Sequence, residues 1–101
     1  MNRTEKNELI MLFSPRIFWD VKIETLDFWH NRDYIIERAV VYGTENDEKL
    51  LYKLYSWREI KKNVIKSDSL NDTVIHYLSA ILGVKKEKFK CYGRIPLHMN
   101  C

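Results

Sequence analysis

Glycine and proline are scarce in this chain of 101 residues, at three and two. Tight β-turns lean on both, so an all-β fold has little to build its corners from. Cysteine occurs twice, Cys91 and Cys101, both at one end. A disulfide-stapled secreted domain spreads more of them through its length, so a reducing, cytoplasmic compartment is expected. No apolar run approaches the roughly 18–20 residues that span a bilayer. Met1 to Glu8 is polar and mixed in charge, unlike a secretory signal. Three scattered glycines cannot build a phosphate-cradling loop. No Ser, Cys or His sits in a local nucleophile signature, and Asp20, Asp27, Asp33 and Glu37 fall where solvated helix faces and caps would place them anyway. Neither a catalytic residue nor a cofactor is expected, and the chain reads as a non-enzyme.

What is present is apolar and charged in the proportions of one folded domain over 1–101: 46% hydrophobic and 31% charged residues. Aromatics reach 13%, with three Trp and six Tyr. So many rings either fill the core or cover a partner. The net charge of +3 is unevenly placed: residues 1–56 hold eight Lys/Arg against ten Asp/Glu, and residues 57–101 hold nine against four. A basic second half permits an acidic partner or nucleic acid without demanding either.

Hydrophobic spacing predicts an all-α fold, a small orthogonal or bundled domain of about four to five helices behind an N-terminal arm. The arm, residues 1–20, carries Leu9 to Phe13, a break at Ser14-Pro15, and Ile17-Phe18-Trp19. A helix is expected from about Leu26 to Tyr42, capped by Thr25 or Asp27 and closed by a left-handed Gly43. Thr44 should start the next, with Glu45, Asp47 and Glu48 at its positive end and Leu50, Leu51, Leu54 and Tyr55 as its apolar face. Ser56-Trp57-Arg58-Glu59 fits a capping box opening a third helix that buries Trp57, Ile60, Val64 and Ile65. Val74, Tyr77, Leu78, Ile81 and Leu82 form the apolar face of a helix over about Asn71 to Leu82, stopped by Gly83. The end, 93–101, reads as a flexible tail.

Cys91, His98 and Cys101 supply three ligands where structural zinc takes four, so no metal is expected. The segment 57–82 reads as helix, turn, helix, which opens a DNA-binding alternative using Arg58, Lys61, Lys62, Lys66, Lys85, Lys86 and Lys88 on phosphates. The would-be recognition helix carries no Arg or Lys, however, and Arg is the commonest reader of base edges. Exposed Trp or Tyr beside Arg is instead the composition of protein-interface anchors, and Trp19, Trp29, Tyr42 and Arg32 are the candidates. The expected partner is another protein or a second copy of the chain, with no membrane contact.

Four segments carry a family likeness: Phe18-Trp19-Asp20-Val21, Tyr34 through Val40, Tyr42-Gly43-Thr44 and Phe89-Lys90-Cys91-Tyr92. Across about Leu12 to Tyr92 the chain resembles a family of short, uncharacterised bacterial proteins often encoded beside nucleotidyltransferase toxins of the AbiE type. The resemblance implies an antitoxin-like role with a toxin as partner. Its markers are apolar or structural, so it transfers no functional residue.

Overall fold

Asn2 starts the first helix by accepting the Glu5 amide on its side chain, and α1 runs Arg3–Ile10 in the computed structural model, which describes residues 1–92. Four more α-helices follow: α2 Arg32–Tyr42, α3 Glu45–Leu54, α4 Trp57–Lys66 and α5 Asp72–Leu82. Short 3-10 turns span Pro15–Phe18, Ile23–Thr25 and Lys86–Lys88, and no strand occurs among the described residues. The fold is all-α. The chain divides into two compact units, Met1–Ser56 and a second starting at Trp57.

In the first unit the N-terminal segment is part of the core. Ile10, Phe13, Ile17 and Phe18 are all buried, and the Phe13 ring meets Phe18 edge-on with centroids 5.9 Å apart. Helix α2 packs on α3 and on the Pro15–Phe18 turn, and α1 packs on α3. Ile35, Ile36, Ala39, Leu51, Leu54 and Tyr55 complete the buried set.

Helix α2 begins at Arg32, not near Leu26. The Asp27 carboxylate accepts the backbone amides of Trp29 at 3.1 Å and His30 at 2.8 Å, while Asn31 Oδ1 accepts the Asp27 amide at 2.9 Å. Such side-chain bonds offer the backbone an alternative to helix, and here they hold residues 27–31 in a turn. Gly43 also departs from expectation: its φ of −76° and ψ of 162° are extended, not left-handed. Its reason is space. A Cβ there would lie 2.3 Å from the Ala39 carbonyl oxygen and 2.9 Å from Asp47 Cβ. The chain can therefore turn from α2 into α3 only without a side chain at this position.

Thr44 does cap α3. Its hydroxyl accepts the Asp47 amide, and the Asp47 carboxylate returns a bond to the Thr44 amide at 2.8 Å. The same carboxylate accepts the Ser14 amide at 2.8 Å. Asp47 is 1% exposed and thus clasps the N-terminal segment to the start of α3.

In the second unit α4 buries Ile60, Asn63 and Val64. Trp57, expected in the core, is 51% exposed, and Ile65 is only half-buried. Helix α5 buries Ile75, Leu78 and Leu82, whereas Tyr77 and Ile81, also expected inside, are 49% and 36% exposed. The buried arc is rotated towards Ile75, and apolar residues wrap most of this helix. Gly83 ends it, as the sequence predicts, and does so with φ 65° and ψ 31°, in the left-handed conformation. The following strap returns to α4 through Lys90 N–H donating to the Ile65 carbonyl at 2.8 Å. It buries Phe89 and Cys91, whose sulfur lies 3.1 Å from the Ser67 carbonyl oxygen. The tail over 93–101, with His98 and Cys101, lies outside the described residues.

Candidate protein-interaction surface

Three of the expected anchors are surface aromatics of the first unit: Trp19 is 60% exposed, Trp29 47% and Tyr42 44%. Trp19 follows the Pro15–Phe18 turn, and Tyr42 is the last residue of α2. Their rings meet edge to face with centroids 5.1 Å apart. Arg38, one helical turn before Tyr42, lays its guanidinium 4.0 Å from the centre of the Trp19 ring and 4.6 Å from that of Tyr34. Tyr34, Arg38 and Tyr42 recur every four residues, so α2 presents them as one ladder.

Asp20 closes the group. Its carboxylate accepts the Tyr34 hydroxyl and the Arg38 guanidinium, the latter at 2.9 Å. Those two bonds, the Tyr34 bond foremost, hold the Asp20 carboxyl below its ordinary range despite partial desolvation. Burial, reinforced by the bond to Asp20, pushes the Tyr34 phenol up to about 12. Arg38 also donates to the Ile17 carbonyl at 3.3 Å. The surface at Trp19 is therefore a fixed aromatic plate with a neutralised ion pair behind it. Arg38, Tyr34 and Asp20 escaped the candidate set, although the four-residue spacing of Tyr34, Arg38 and Tyr42 was visible in the sequence.

Trp29 and Arg32 form a second, local pair. The Arg32 guanidinium sits 4.1 Å from the Trp29 ring centre and donates to the Trp29 carbonyl at 2.7 Å. Beneath them, Asp27 receives a two-pronged bond from Arg3, both distances 2.8 Å, and a third from Asn7 at 3.0 Å. These bonds, Arg3 first, pull the Asp27 carboxyl well below the usual carboxylate range and raise the Arg3 guanidinium. This pair belongs to the turn that delays α2.

The basic candidates all lie in the second unit. Arg58, Lys62 and Lys66 are exposed at four-residue intervals along α4, with Lys61 half-buried beside them. Lys85 and Lys88 are exposed and Lys86 is half-buried. Ser79, Lys85, Lys86 and Glu87 line a shallow cavity of about 670 Å³. On α5 the exposed polar side chains are Asp72, Thr73 and His76, with His76 Nε2 3.3 Å from Asp72. Five residues, 67–71, separate α4 from α5, a longer link than the three or four of a tight helix-turn-helix.

Among the described residues no three His, Cys, Asp or Glu side chains converge to hold a metal. No helix there is long and apolar enough to cross a membrane.

Residues 13–64 match a family of unknown function, DUF6922. The chain belongs to DUF6922. No curated protein and no solved structure matches it. The DUF6922 region takes in the whole Trp19–Arg38–Tyr42 group and the Asp47 clasp, and ends within α4, before Lys66. Three of the four marker segments fall inside it, and Phe89 to Tyr92 falls outside.

Proposed function

We propose that this DUF6922 chain is a non-enzymatic protein-interaction domain whose contact surface is centred on Trp19 and Tyr42. The observation that carries this reading is Trp19 itself, 60% exposed yet backed by Arg38 and edged by Tyr42. A free tryptophan on a surface costs side-chain entropy to immobilise on binding. Here that cost is met within the free protein, because Asp20 and Tyr34 fix Arg38 and Arg38 fixes the ring. Rigid, preorganised aromatics of this kind are what dominate interface energetics. The Asp20–Arg38 pair also spares the partner a lone charge to desolvate.

The family likeness read in the sequence supplies the partner class, a toxin, and the role, antitoxin-like neutralisation by direct binding. The test is co-expression with the protein encoded beside it, followed by purification and titration calorimetry. A stable complex is expected, and Trp19→Ala should weaken it about 30-fold, the equivalent of about 2 kcal/mol for a hot-spot truncation. Helix content should not change.

A second reading, a cytoplasmic DNA-binding regulator, draws on the exposed row of Arg58, Lys62 and Lys66. Phosphate binding there would lose affinity steeply with salt. Sequence choice would have to come from α5, which brings no Arg or Lys to base edges. Duplex binding by this row is therefore expected to be salt-labile and indifferent to sequence.

A further inference from the structure

The Trp19 and Tyr42 rings stand almost perpendicular, at 85° with centroids 5.1 Å apart, so their planes bound a right-angled apolar corner. Arg38 covers one side of the Trp19 ring at 4.0 Å, yet Trp19 stays 60% exposed and Tyr42 44%. Each ring carries a donor at its rim, the Trp19 indole N–H and the Tyr42 hydroxyl. Neither donor has a hydrogen-bond partner among the described residues. The acceptor behind them is occupied: Asp20 Oδ1 accepts the Tyr34 hydroxyl and Oδ2 accepts the Arg38 guanidinium. The corner therefore offers flat apolar rings and free donors, with its own ion pair closed.

We infer that this corner receives a proline-rich segment of the partner in the extended polyproline II conformation. The inference rests on the contact surface proposed above and names the chemistry that meets it. Peptide segments are recognised in a few recurring ways, and the others do not suit these residues. Strand addition needs an exposed sheet edge, and the described residues hold no strand. Capture of a charged motif needs an unpaired charge, and Arg38 is held by Asp20 at 2.9 Å. A docked helix has its backbone carbonyls bonded internally, so it would bury the indole N–H and the Tyr42 hydroxyl against a backbone with no acceptor left. A polyproline II segment makes no internal hydrogen bonds, and its carbonyls are open to outside donors. Proline also removes the backbone N–H, so the segment brings acceptors without donors, the complement of this corner. Its pyrrolidine rings are compact apolar plates that pack on aromatic faces, and its conformation is set before binding, so little chain entropy is lost.

Titration calorimetry of the full chain with a short capped polyproline peptide, beside a Gly-Ser peptide of equal length, tests this. Saturable binding of polyproline alone is expected, with little change at high salt. Trp19→Ala should weaken it at least tenfold with helix content unchanged. Tyr42→Phe keeps the ring and removes the donor, and should weaken it about fivefold. The peptide comparison on the parent chain and Tyr42→Phe stand by themselves should Trp19→Ala perturb the fold. Polyproline should also displace the co-expressed partner from the parent chain. Binding of neither peptide, equal affinity for both, or polyproline binding that Trp19→Ala leaves intact would overturn the inference. A partner that needs Trp19 yet is not displaced by polyproline would overturn it too, while leaving the contact surface standing. A partner indifferent to Trp19→Ala would remove the contact surface itself, and this inference with it.

Discussion

Replacing Asp47 with alanine removes a carboxylate that joins the N-terminal segment to α3. It accepts the Thr44 amide at 2.8 Å, the Thr44 hydroxyl at 3.1 Å and the Ser14 amide at 2.8 Å, all at a site 1% exposed. Loss of its share of the capping box costs about 1 kcal/mol. The Ser14 amide loses a charge-assisted bond worth about 1.5–3 kcal/mol. The sum is about 3 kcal/mol, which for a chain of this size lowers the melting temperature by roughly 10–20 °C. Thr44→Ala, which leaves Ser14 bonded, should cost only about 1 kcal/mol. Urea unfolding followed by tryptophan fluorescence measures both. A loss below about 1 kcal/mol for Asp47→Ala would refute the clasp. Acid provides a second check. Burial opposes ionisation of Asp47, but the bonds from the Thr44 and Ser14 amides outweigh it and hold the carboxyl below its ordinary value. A depressed carboxylate stabilises the fold in full above its unfolded value near 4, and that stability is lost as pH falls through the lower folded value. Asp47→Ala should therefore flatten the acid limb of the stability curve.

The two glycines should fail for different reasons. Gly43→Ala forces a Cβ to within 2.3 Å of a backbone oxygen and should cost about 1–3 kcal/mol, whereas Gly83→Ala meets open space and should cost only the left-handed strain, about 1–2 kcal/mol. Tyrosinate absorbance should show a late step near pH 12 that Tyr34→Phe removes. Because the folded phenol is raised above the unfolded value near 10, its contribution is complete below pH 10 and fades as pH rises through about 12. Leu78→Ala should cost about 2–5 kcal/mol by chemical denaturation, and Trp57→Ala, at an exposed position, about 1 kcal/mol or less.

Helix identity was legible wherever period and cap agreed: Thr44 opens α3, and Gly83 closes α5. The start of α2 lies later than the pattern predicts because Asp27, which with Thr25 has the chemistry of a helix cap, does not cap it. It serves a turn instead, and the partners that favour the turn, Arg3 and Asn7, are some twenty residues away in sequence. The sequence pattern puts Tyr77, Ile81 and Trp57 inside because hydropathy cannot tell which arc of a helix with apolar residues on most sides faces the core. Gly43 was recognised as a boundary, but the clash that demands glycine involves Asp47 Cβ and becomes visible only in three dimensions. At the candidate surface, Trp19 and Tyr42 were legible as single aromatics. Their union depends on Arg38 and Asp20, which looked like ordinary solvated charges.

The central claim, that the partner binds at Trp19 and Tyr42 through a preorganised aromatic plate, is tested most directly by titrating the co-expressed partner against Trp19→Ala and Lys62→Ala/Lys66→Ala side by side at two salt concentrations. The account predicts that Trp19→Ala weakens binding about 30-fold at both salts, the effect of losing about 2 kcal/mol, while the lysine variant stays close to the parent. Full affinity without Trp19, with a steep salt-dependent loss in the lysine variant, would contradict it.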